Sequence, residues 1–235
     1  MSRSLSFWSR VANQARHDQR GIAGVEFALI LPLMLTMYLG IVELSKGYMA
    51  SQRMTLVART LADITTQLAQ QEAKPSCVLS SSTISLTDSC MATVFGAASA
   101  IMAPYQISNN LLTMTVSQLK LTYKSDGTCC QAKTDWTITN SGGTARPCQL
   151  LTPANAAPIS VATIPIGFTA PPAPVPTNPN YVIVADVTYK YAPGFDFELF
   201  KWKTSKTFTM AQSEFMRPRG TYYLKYAAST GAQCP

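Results

Sequence analysis

One apolar stretch constrains this chain more than any other feature: residues 21–42 read GIAGVEFALILPLMLTMYLGIV. As an α-helix that rises about 1.5 Å per residue, this stretch is long enough to cross a hydrocarbon core of about 30 Å. A cleaved secretory signal has a shorter apolar core with a small-x-small site after it, whereas the polar segment Glu43–Lys46 follows here. We therefore predict a retained single-pass anchor at residues 22–42.

The charges that flank this stretch predict its orientation. Four arginines precede it, against Asp18 as the one acid: Arg3, Arg10, Arg16 and Arg20. Because Lys and Arg stay on the cytoplasmic side, residues 1–21 are expected to be a cytoplasmic leader in an inner-membrane protein, with the C-terminal part periplasmic or surface-exposed. The net charge of +7 comes without an interleaved stripe of basic and aromatic residues, so nucleic-acid binding is not expected.

The helix is predicted to continue beyond the membrane. Apolar or small residues recur at alternating spacings of three and four, which is typical of an amphipathic helix that packs along one face: Gly47, Ala50, Met54, Val57, Leu61, Ile64 and Leu68. Pro75 cannot continue a helix, so an extramembrane extension is expected at residues 43–74. The alternative is two helices with a break near Gly40 or Gly47.

Residues 75–235 are predicted to form an extracytoplasmic α+β domain. A helix is expected at residues 88–103, where Pro104 stops it. Alternation of apolar residues predicts strands at residues 111–123, with a bulge near Ser117, and at 136–139, 181–191 and 208–215. Asp126-Gly127 is expected to form a turn, and residues 195–202 a short strand or a helix. The proline-rich residues 147–179 are interpreted as an extended connection tied at Cys148, with a flexible linker as the alternative.

These elements favour an α+β fold in which the long N-terminal helix packs its outer half against an antiparallel sheet of roughly four strands. Each element has one apolar face, and stacking the two as layers buries both faces. Six aromatic residues are expected in the core or in cross-strand pairs: Trp136, Tyr181, Tyr189, Tyr191, Trp202 and Phe208.

All six cysteines follow the apolar stretch: Cys77, Cys90, Cys129, Cys130, Cys148 and Cys234. An even number on one side of a membrane predicts disulfides in an oxidising compartment. Metal binding is not expected, because there is no C-x-x-C pair and the one histidine, His17, lies in the leader. Spacing favours Cys77 with Cys90, and Cys148 with Cys129 or Cys130, among 15 possible connectivities.

The sequence contains no motif that indicates an enzyme. His17 precedes the membrane stretch, so it cannot serve a catalytic triad in the external domain. The chain contains neither G-x-S-x-G nor H-E-x-x-H, and no phosphate loop or dinucleotide fingerprint. We therefore expect no catalytic residues and no cofactor.

The residues that indicate function lie where the leader meets the apolar stretch: Gly21, Ile22, Glu26 and Phe27. A carboxylate near hydrocarbon is costly unless it is paired, and it is a functional hypothesis by default. Cutting the chain after Gly21 would give Ile22 a cationic α-amino group about one helical turn from Glu26, or opposite the Glu26 of an adjacent subunit. The alternative is that Glu26 lies near the cytoplasmic headgroups and reaches water.

These residues resemble the start of TadE-like pilus assembly proteins of the tight-adherence system. The resemblance rests on residues 21–32 and 40–44, with Gly24 where alanine is common in the family, and more loosely on residues 184–193 and 215–219. It implies a pilin-like pseudopilin that a prepilin peptidase cuts between Gly21 and Ile22, and that needs Glu26 for recognition or assembly. The implied partners are membrane lipid, other pilin or pseudopilin subunits and inner-membrane pilus assembly proteins. The sibling TadG-like proteins share the N-terminal block and usually have a larger C-terminal domain.

A second hypothesis uses the same anchor without processing. In that case the chain is a single-pass, membrane-anchored binding or adhesion domain, and the positions of Gly21 and Glu26 are coincidental. The two hypotheses differ in the N-terminal residue of the mature protein, which is Ile22 in the first and Met1 in the second.

Overall fold

The computed structural model describes residues 22–68, 78–80, 83–123, 131–140, 142–151, 164–169, 179–194, 207–219, 224–226 and 232–234. The chain divides into two compact units, residues 1–48 and 49–235. Several predictions lie outside the described residues, namely those for Gly21, Cys77, the Asp126-Gly127 turn, Cys129, Cys130 and residues 195–202.

Three helices and eight strands make up the described chain. The helices are α1 (Ile22–Gln67), α2 (Asp88–Ala100) and α3 (Ile166–Thr169). The strands are β1 (Val78–Ser80), β2 (Thr83–Leu86), β3 (Leu112–Thr122), β4 (Gln131–Thr139), β5 (Asn180–Tyr191), β6 (Phe208–Met216), β7 (Lys225–Tyr226) and β8 (Ala232–Gln233). Helix α1 is helical at Gly40 and at Gly47, where a break was the alternative, and the predicted end of the extension at residue 74 lies outside the described residues.

The larger sheet has the strand order β6-β5-β3-β4-β8, and every neighbouring pair is antiparallel. Its four long strands correspond to the four predicted ones, although β4 begins five residues earlier than expected, at Gln131. A smaller sheet has the order β1-β2-β7, in which β7 runs parallel to β2. The α+β prediction, with a long apolar N-terminal helix and a C-terminal antiparallel sheet, is confirmed.

The outer part of α1 packs against one face of the larger sheet, which we call the front face. The predicted apolar seam is confirmed here, because Ala50, Met54, Val57 and Leu61 are buried in one cluster with residues of β3, β4 and β5. Two ion pairs connect the same part of the helix to β6 and the residues after it. Arg59 Nε lies 3.1 Å from Glu214 Oε1 of β6, and Arg219 pairs with Asp63. Burial of the seam therefore fixes which side of α1 faces the sheet.

Both faces of the larger sheet are covered, and this explains the change of alternation in β3. Its register with β5 is unbroken from Leu112 to Leu121, so β3 itself contains no bulge. Instead, Met114 and Val116 belong to the front cluster, whereas Leu119 belongs to a second cluster on the opposite face, which we call the back face. The buried side chains of β3 switch faces along the strand, and the bulge or slip predicted near Ser117 is confirmed as a register shift with β4 between Gln118 and Leu119.

The extra residue of this bulge lies in β4. Gln118 of β3 pairs with Trp136 and Leu119 pairs with Thr134, which leaves Asp135 as the extra residue. The carboxylate of Asp135 accepts a hydrogen bond of 2.7 Å from Gln118 Nε2. A bulge of this kind re-aims side chains locally, and here it precedes the buried Trp136.

Helix α2 begins at a well-formed N-cap. Thr87 has an extended backbone, and its hydroxyl accepts a hydrogen bond of 3.1 Å from the Cys90 amide, which satisfies a donor that the first turn would otherwise leave free. The helix buries Met91, Val94 and Phe95 in the front cluster. It ends at Ala100, three residues before the predicted position, and turn residues lead to Pro104.

The prediction for the aromatic residues is partly confirmed. Trp136, Tyr189 and Tyr191 are buried, and Trp136 stacks on Tyr226 with a centroid distance of 5.4 Å. Phe208 is 63% exposed and not in the core, but it lies opposite Tyr191 in the pairing of β5 with β6, as a cross-strand pair. It is the first residue of β6, an edge strand among the described strands, where one side of the strand has no described neighbour.

The disulfide prediction needs one correction. Cys148 pairs with Cys234, across 86 residues of sequence and with a Cα–Cα distance of 5.0 Å, and not with Cys129 or Cys130. Short sequence spacing misled the prediction, because β8 returns to the edge of β4 and brings the end of the chain beside Cys148. Cys90 is also disulfide-bonded, and its predicted pairing with Cys77 lies partly outside the described residues.

Candidate functional site

The first half of α1 presents apolar side chains in all directions. From Val25 to Ile41 its large apolar side chains are between 47% and 73% exposed, except for the partly buried Leu39. A soluble protein rarely exposes a continuous apolar surface of this kind, and such surfaces mark contacts with membranes or other proteins. Among the described residues, α1 is the one helix long and apolar enough to cross a membrane. The helix is consistent with a single-pass membrane anchor.

Glu26 lies near the start of this exposed helix. Ile22 is the first residue of α1, so Glu26 follows it by four positions and lies on the same side of the helix, one turn further along. Phe27 is 65% exposed, and Glu26 is also exposed. The structure thus places Ile22, Glu26 and Phe27 in the first two turns of one helix, while Gly21 is outside the described residues.

The other polar groups of this segment are satisfied locally, in contrast to Glu26. The hydroxyl of Thr36 donates to the Leu33 carbonyl at 2.8 Å, and Ser45 donates to the Ile41 carbonyl at the same distance. Just beyond the apolar stretch, Lys46 Nζ lies 3.3 Å from Glu43 Oε1. Within the described part of the chain the Glu26 carboxylate has no such ion pair, and a carboxylate in an apolar environment is costly unless it is paired.

The comparisons with known proteins bear on this segment. Residues 21–63 match the family model for TadE-like protein. Over this segment the chain is similar to TadE-like proteins. The match begins at Gly21, includes Glu26 and reaches into the part of α1 that packs on the sheet, so the resemblance seen in the sequence is confirmed there. No curated protein and no solved structure matched the chain. The TadE-like segment is therefore the part of the chain that links it to Tad pilus-related proteins.

Sequence reasoning missed a buried ion pair on the back face of the larger sheet. Arg146, in the segment after β4, pairs with Asp186 of β5, and both side chains are largely buried. Ser213 of β6 donates a hydrogen bond of 2.6 Å to the same carboxylate. Burial raises the pKa of Asp186 above its ordinary value of 3.8, and the neighbouring Arg146 charge and the hydrogen bonds from Ser213 and Arg146 oppose that rise. The signal in the sequence was a lone acid inside the apolar run of β5.

A second polar network lies at the front face. Gln118 acts as a substitute strand neighbour for Leu224, because its amide donates to the Leu224 carbonyl at 3.0 Å and accepts from the Leu224 amide at 2.8 Å. The indole N–H of Trp136 donates to the same carbonyl at 2.9 Å. These bonds satisfy backbone groups of a buried segment that has no strand partner at that residue, and they fix the C-terminal region onto the front cluster.

Metal-ligating side chains do not come together in the part of the chain that the structure describes: no group of three or more His, Cys, Asp or Glu could hold an ion there. The buried polar groups described above are bonded to one another across strands. Their arrangement is that of a structural core, and the exposed apolar helix with Glu26 remains the candidate functional segment.

Proposed function

We propose that this chain is a pseudopilin-like protein that takes part in assembling a tight-adherence, Flp-type pilus, and that a prepilin peptidase cuts it after Gly21. The observation that carries the proposal is the TadE-like segment, which begins at Gly21 and includes a carboxylate in an exposed apolar helix. The function is structural rather than catalytic. The apolar stretch at the start of the TadE-like segment forms the membrane helix and the surface that meets other subunits.

Charge pairing supplies the mechanism. Cleavage creates an α-amino group at Ile22 that is cationic near neutral pH, and the Glu26 carboxylate lies one helical turn away. In a medium of low dielectric a mispaired charge costs several kcal/mol. Pairing between the amine of one subunit and the Glu26 of its neighbour therefore selects one stagger of packed helices over others. The uncut chain lacks this amine, so it cannot form the pair.

The proposed topology follows from the flanking charges. The leader, with four arginines, stays in the cytoplasm, and residues 75–235 form the periplasmic or surface-exposed domain. In this topology the prepilin peptidase meets Gly21 at the inner face of the membrane. The other proposed partners are pilin or pseudopilin subunits and the inner-membrane pilus assembly proteins, which contact the helix in the plane of the membrane.

The test is to determine the N-terminus of the protein isolated from its native membrane, by intact mass and N-terminal sequencing. We expect a mature chain that starts at Ile22 in cells with an active prepilin peptidase and at Met1 in cells without one. Glu26→Gln is expected to block processing or pilus formation, because the amide cannot pair with the amine. Glu43→Gln is the matched control, since it removes a carboxylate outside the apolar stretch whose ion pair with Lys46 is partly exposed and of little energetic value.

Two outcomes would contradict the proposal. One is a chain that keeps Met1 in cells with active peptidase, which would favour the anchored binding or adhesion domain. The other is normal processing and normal piliation in the Glu26→Gln variant. If both Glu26→Gln and Glu43→Gln abolish piliation while membrane levels of the protein fall, the effect reports stability and not pairing.

A further inference from the structure

Two segments cover the outer edge of β4, the edge that does not face β3. Leu150 bridges to Lys133, and the Leu151 amide donates to the Ala132 carbonyl at 2.9 Å. Further along the same edge, β8 pairs with Trp136 and Thr137, and the Cys234 amide donates to the Asp135 carbonyl at 2.8 Å. One segment follows β4 closely in sequence, and the other is the end of the chain.

The disulfide joins these two segments. Cys148 lies two residues before Leu150, and Cys234 directly follows β8, so the bond between them ties both edge covers to each other. Apart from the disulfide, the two segments differ in the contacts that hold them to the sheet. The segment around Cys148 is also held by Arg146, whose amide donates to Thr137 Oγ1 at 3.2 Å and whose side chain pairs with Asp186, and by the buried side chain of Leu151.

Among the described residues, strand β8 is held to β4 by few backbone pairs. It contributes two residue pairs, well below the usual strand length of about five residues. A strand this short does not remain paired by its hydrogen bonds alone, because the entropy of ordering its backbone exceeds what two pairs return. Its position therefore depends on the covalent bond at Cys234.

We propose that Cys148–Cys234 is a redox-sensitive latch that holds the C-terminal strand on the edge of β4. A small dithiol supplies two electrons and two protons, the S–S bond breaks, both cysteines become thiols, and the dithiol closes into its own disulfide. Strand β8 then leaves the edge and exposes the backbone groups of Asp135 to Thr137, while the segment around Leu151 stays in place. This inference does not depend on pilus assembly.

Amide hydrogen exchange on the full chain in detergent micelles, read by NMR or mass spectrometry, tests the latch. In Cys148→Ser/Cys234→Ser, we expect exchange at the amide of residue 234 to rise by about 30-fold or more. Exchange at the Leu151 amide and at the central pair Ser117 and Val184 is expected to stay close to that of the unaltered protein. The Cys90→Ser variant is the matched control, since it breaks a different disulfide and should leave residue 234 protected.

A second measurement keeps the inference testable if the double variant folds poorly. The unaltered protein is reduced with a small dithiol, and the freed thiols are alkylated and mapped by mass spectrometry before exchange is measured. Loss of protection at Cys234 that accompanies alkylation of Cys148 and Cys234 supports the latch. Retained protection at residue 234 in both experiments, or equal loss at residues 234 and 151, would overturn it.

Discussion

At the scale of single residues, the ion pair between Arg146 and Asp186 is largely buried in the domain. A carboxylate inside an apolar strand is tolerated because a buried guanidinium and a serine hydroxyl meet it. Among the described residues the guanidinium is itself not fully satisfied, since the buried Nε and Nη1 of Arg146 have no hydrogen-bond partner there. Pairs of this kind add little net stability, but breaking one by removing a single partner is costly.

Replacing Arg146 with methionine should make the stability of the domain depend on pH. Asp186 would lose the cation that lowers its pKa, so its folded-state pKa would rise further. A carboxyl with a raised folded-state pKa contributes stability below its unfolded-state pKa and loses it as the pH rises through the folded-state value. We expect a deficit in unfolding free energy of roughly 3–5 kcal/mol near neutral pH, which shrinks as the pH falls from about 7 to about 4.5.

Chemical denaturation of the variant and of the unaltered protein at both pH values measures this deficit. Ser213→Ala is the control, because it removes one hydrogen bond to the same carboxylate and should cost about 1.5–3 kcal/mol while Arg146 still pairs with Asp186. A deficit of the same size at both pH values would show that Asp186 does not hold a buried charge in the variant.

At the scale of elements, α1 performs two tasks with two different surfaces. From residue 50 onward it buries one side against the sheet, while most of its remaining residues are partly buried and Gln52, Leu56 and Arg59 are exposed. Leu56 and Leu61 illustrate the difference, since Leu61 is fully buried and Leu56 is 53% exposed. The same residue type in the same helix thus has two environments.

This pair gives a matched test of the helix–sheet interface. Leu61→Ala should lower the unfolding free energy by roughly 2–5 kcal/mol, because it removes buried methyl groups and leaves a cavity. Leu56→Ala should change it by no more than about 0.5 kcal/mol. Urea denaturation of each variant, monitored by near-ultraviolet circular dichroism, measures both changes in unfolding free energy. Equal effects would contradict the packing of the helix on the front face.

The sequence predicts an element well where a single hydrophobic periodicity, either that of a strand or that of a helix, runs through the whole element. Alternation located β5 and β6 almost to the residue, and the helical spacing identified the seam at Ala50, Met54, Val57 and Leu61. Strand β3 has two covered faces, so its apolar residues change sides without any change in the backbone, and alternation alone cannot distinguish that from a bulge.

Whether a site could be predicted from the sequence depended on how far apart its residues lie along the chain. Glu26 was identified from its immediate surroundings, and the TadE-like match covers it, although its role in processing stays a prediction. The Cys148–Cys234 bond and the Arg146–Asp186 pair join residues that are distant in sequence. Neither composition nor periodicity encodes which distant segments meet, so these contacts required the tertiary structure.

At the scale of the whole molecule, the chain combines a unit that exposes apolar surface with a unit that buries it. The described residues of the first unit are helical and largely exposed. The second unit has its own clusters on both faces of the sheet. The exposed apolar helix of the first unit is consistent with a membrane anchor, whereas the second unit buries apolar residues in its own clusters.

A charge in the first unit should selectively impair membrane insertion. Leu33 is 63% exposed near the middle of the apolar stretch, and lysine at the centre of a membrane helix costs about 2.5–3.5 kcal/mol on the insertion scale. We expect Leu33→Lys to lower the fraction of the protein that resists alkaline extraction from membranes, and Leu33→Ala to leave that fraction almost unchanged. Full resistance in the lysine variant would mean that this face of the helix does not meet lipid.

The contacts of Trp136 also provide the chain with an intrinsic optical probe. Its indole is buried, stacks on Tyr226 and donates to the Leu224 carbonyl, so its emission reports whether residues 224–226 are docked. The chain has two other tryptophans, Trp8 and Trp202, and replacing both with phenylalanine would leave a single fluorophore. A shift of that emission to longer wavelength would then reveal undocking of residues 224–226 in the membrane-bound protein, without any added dye.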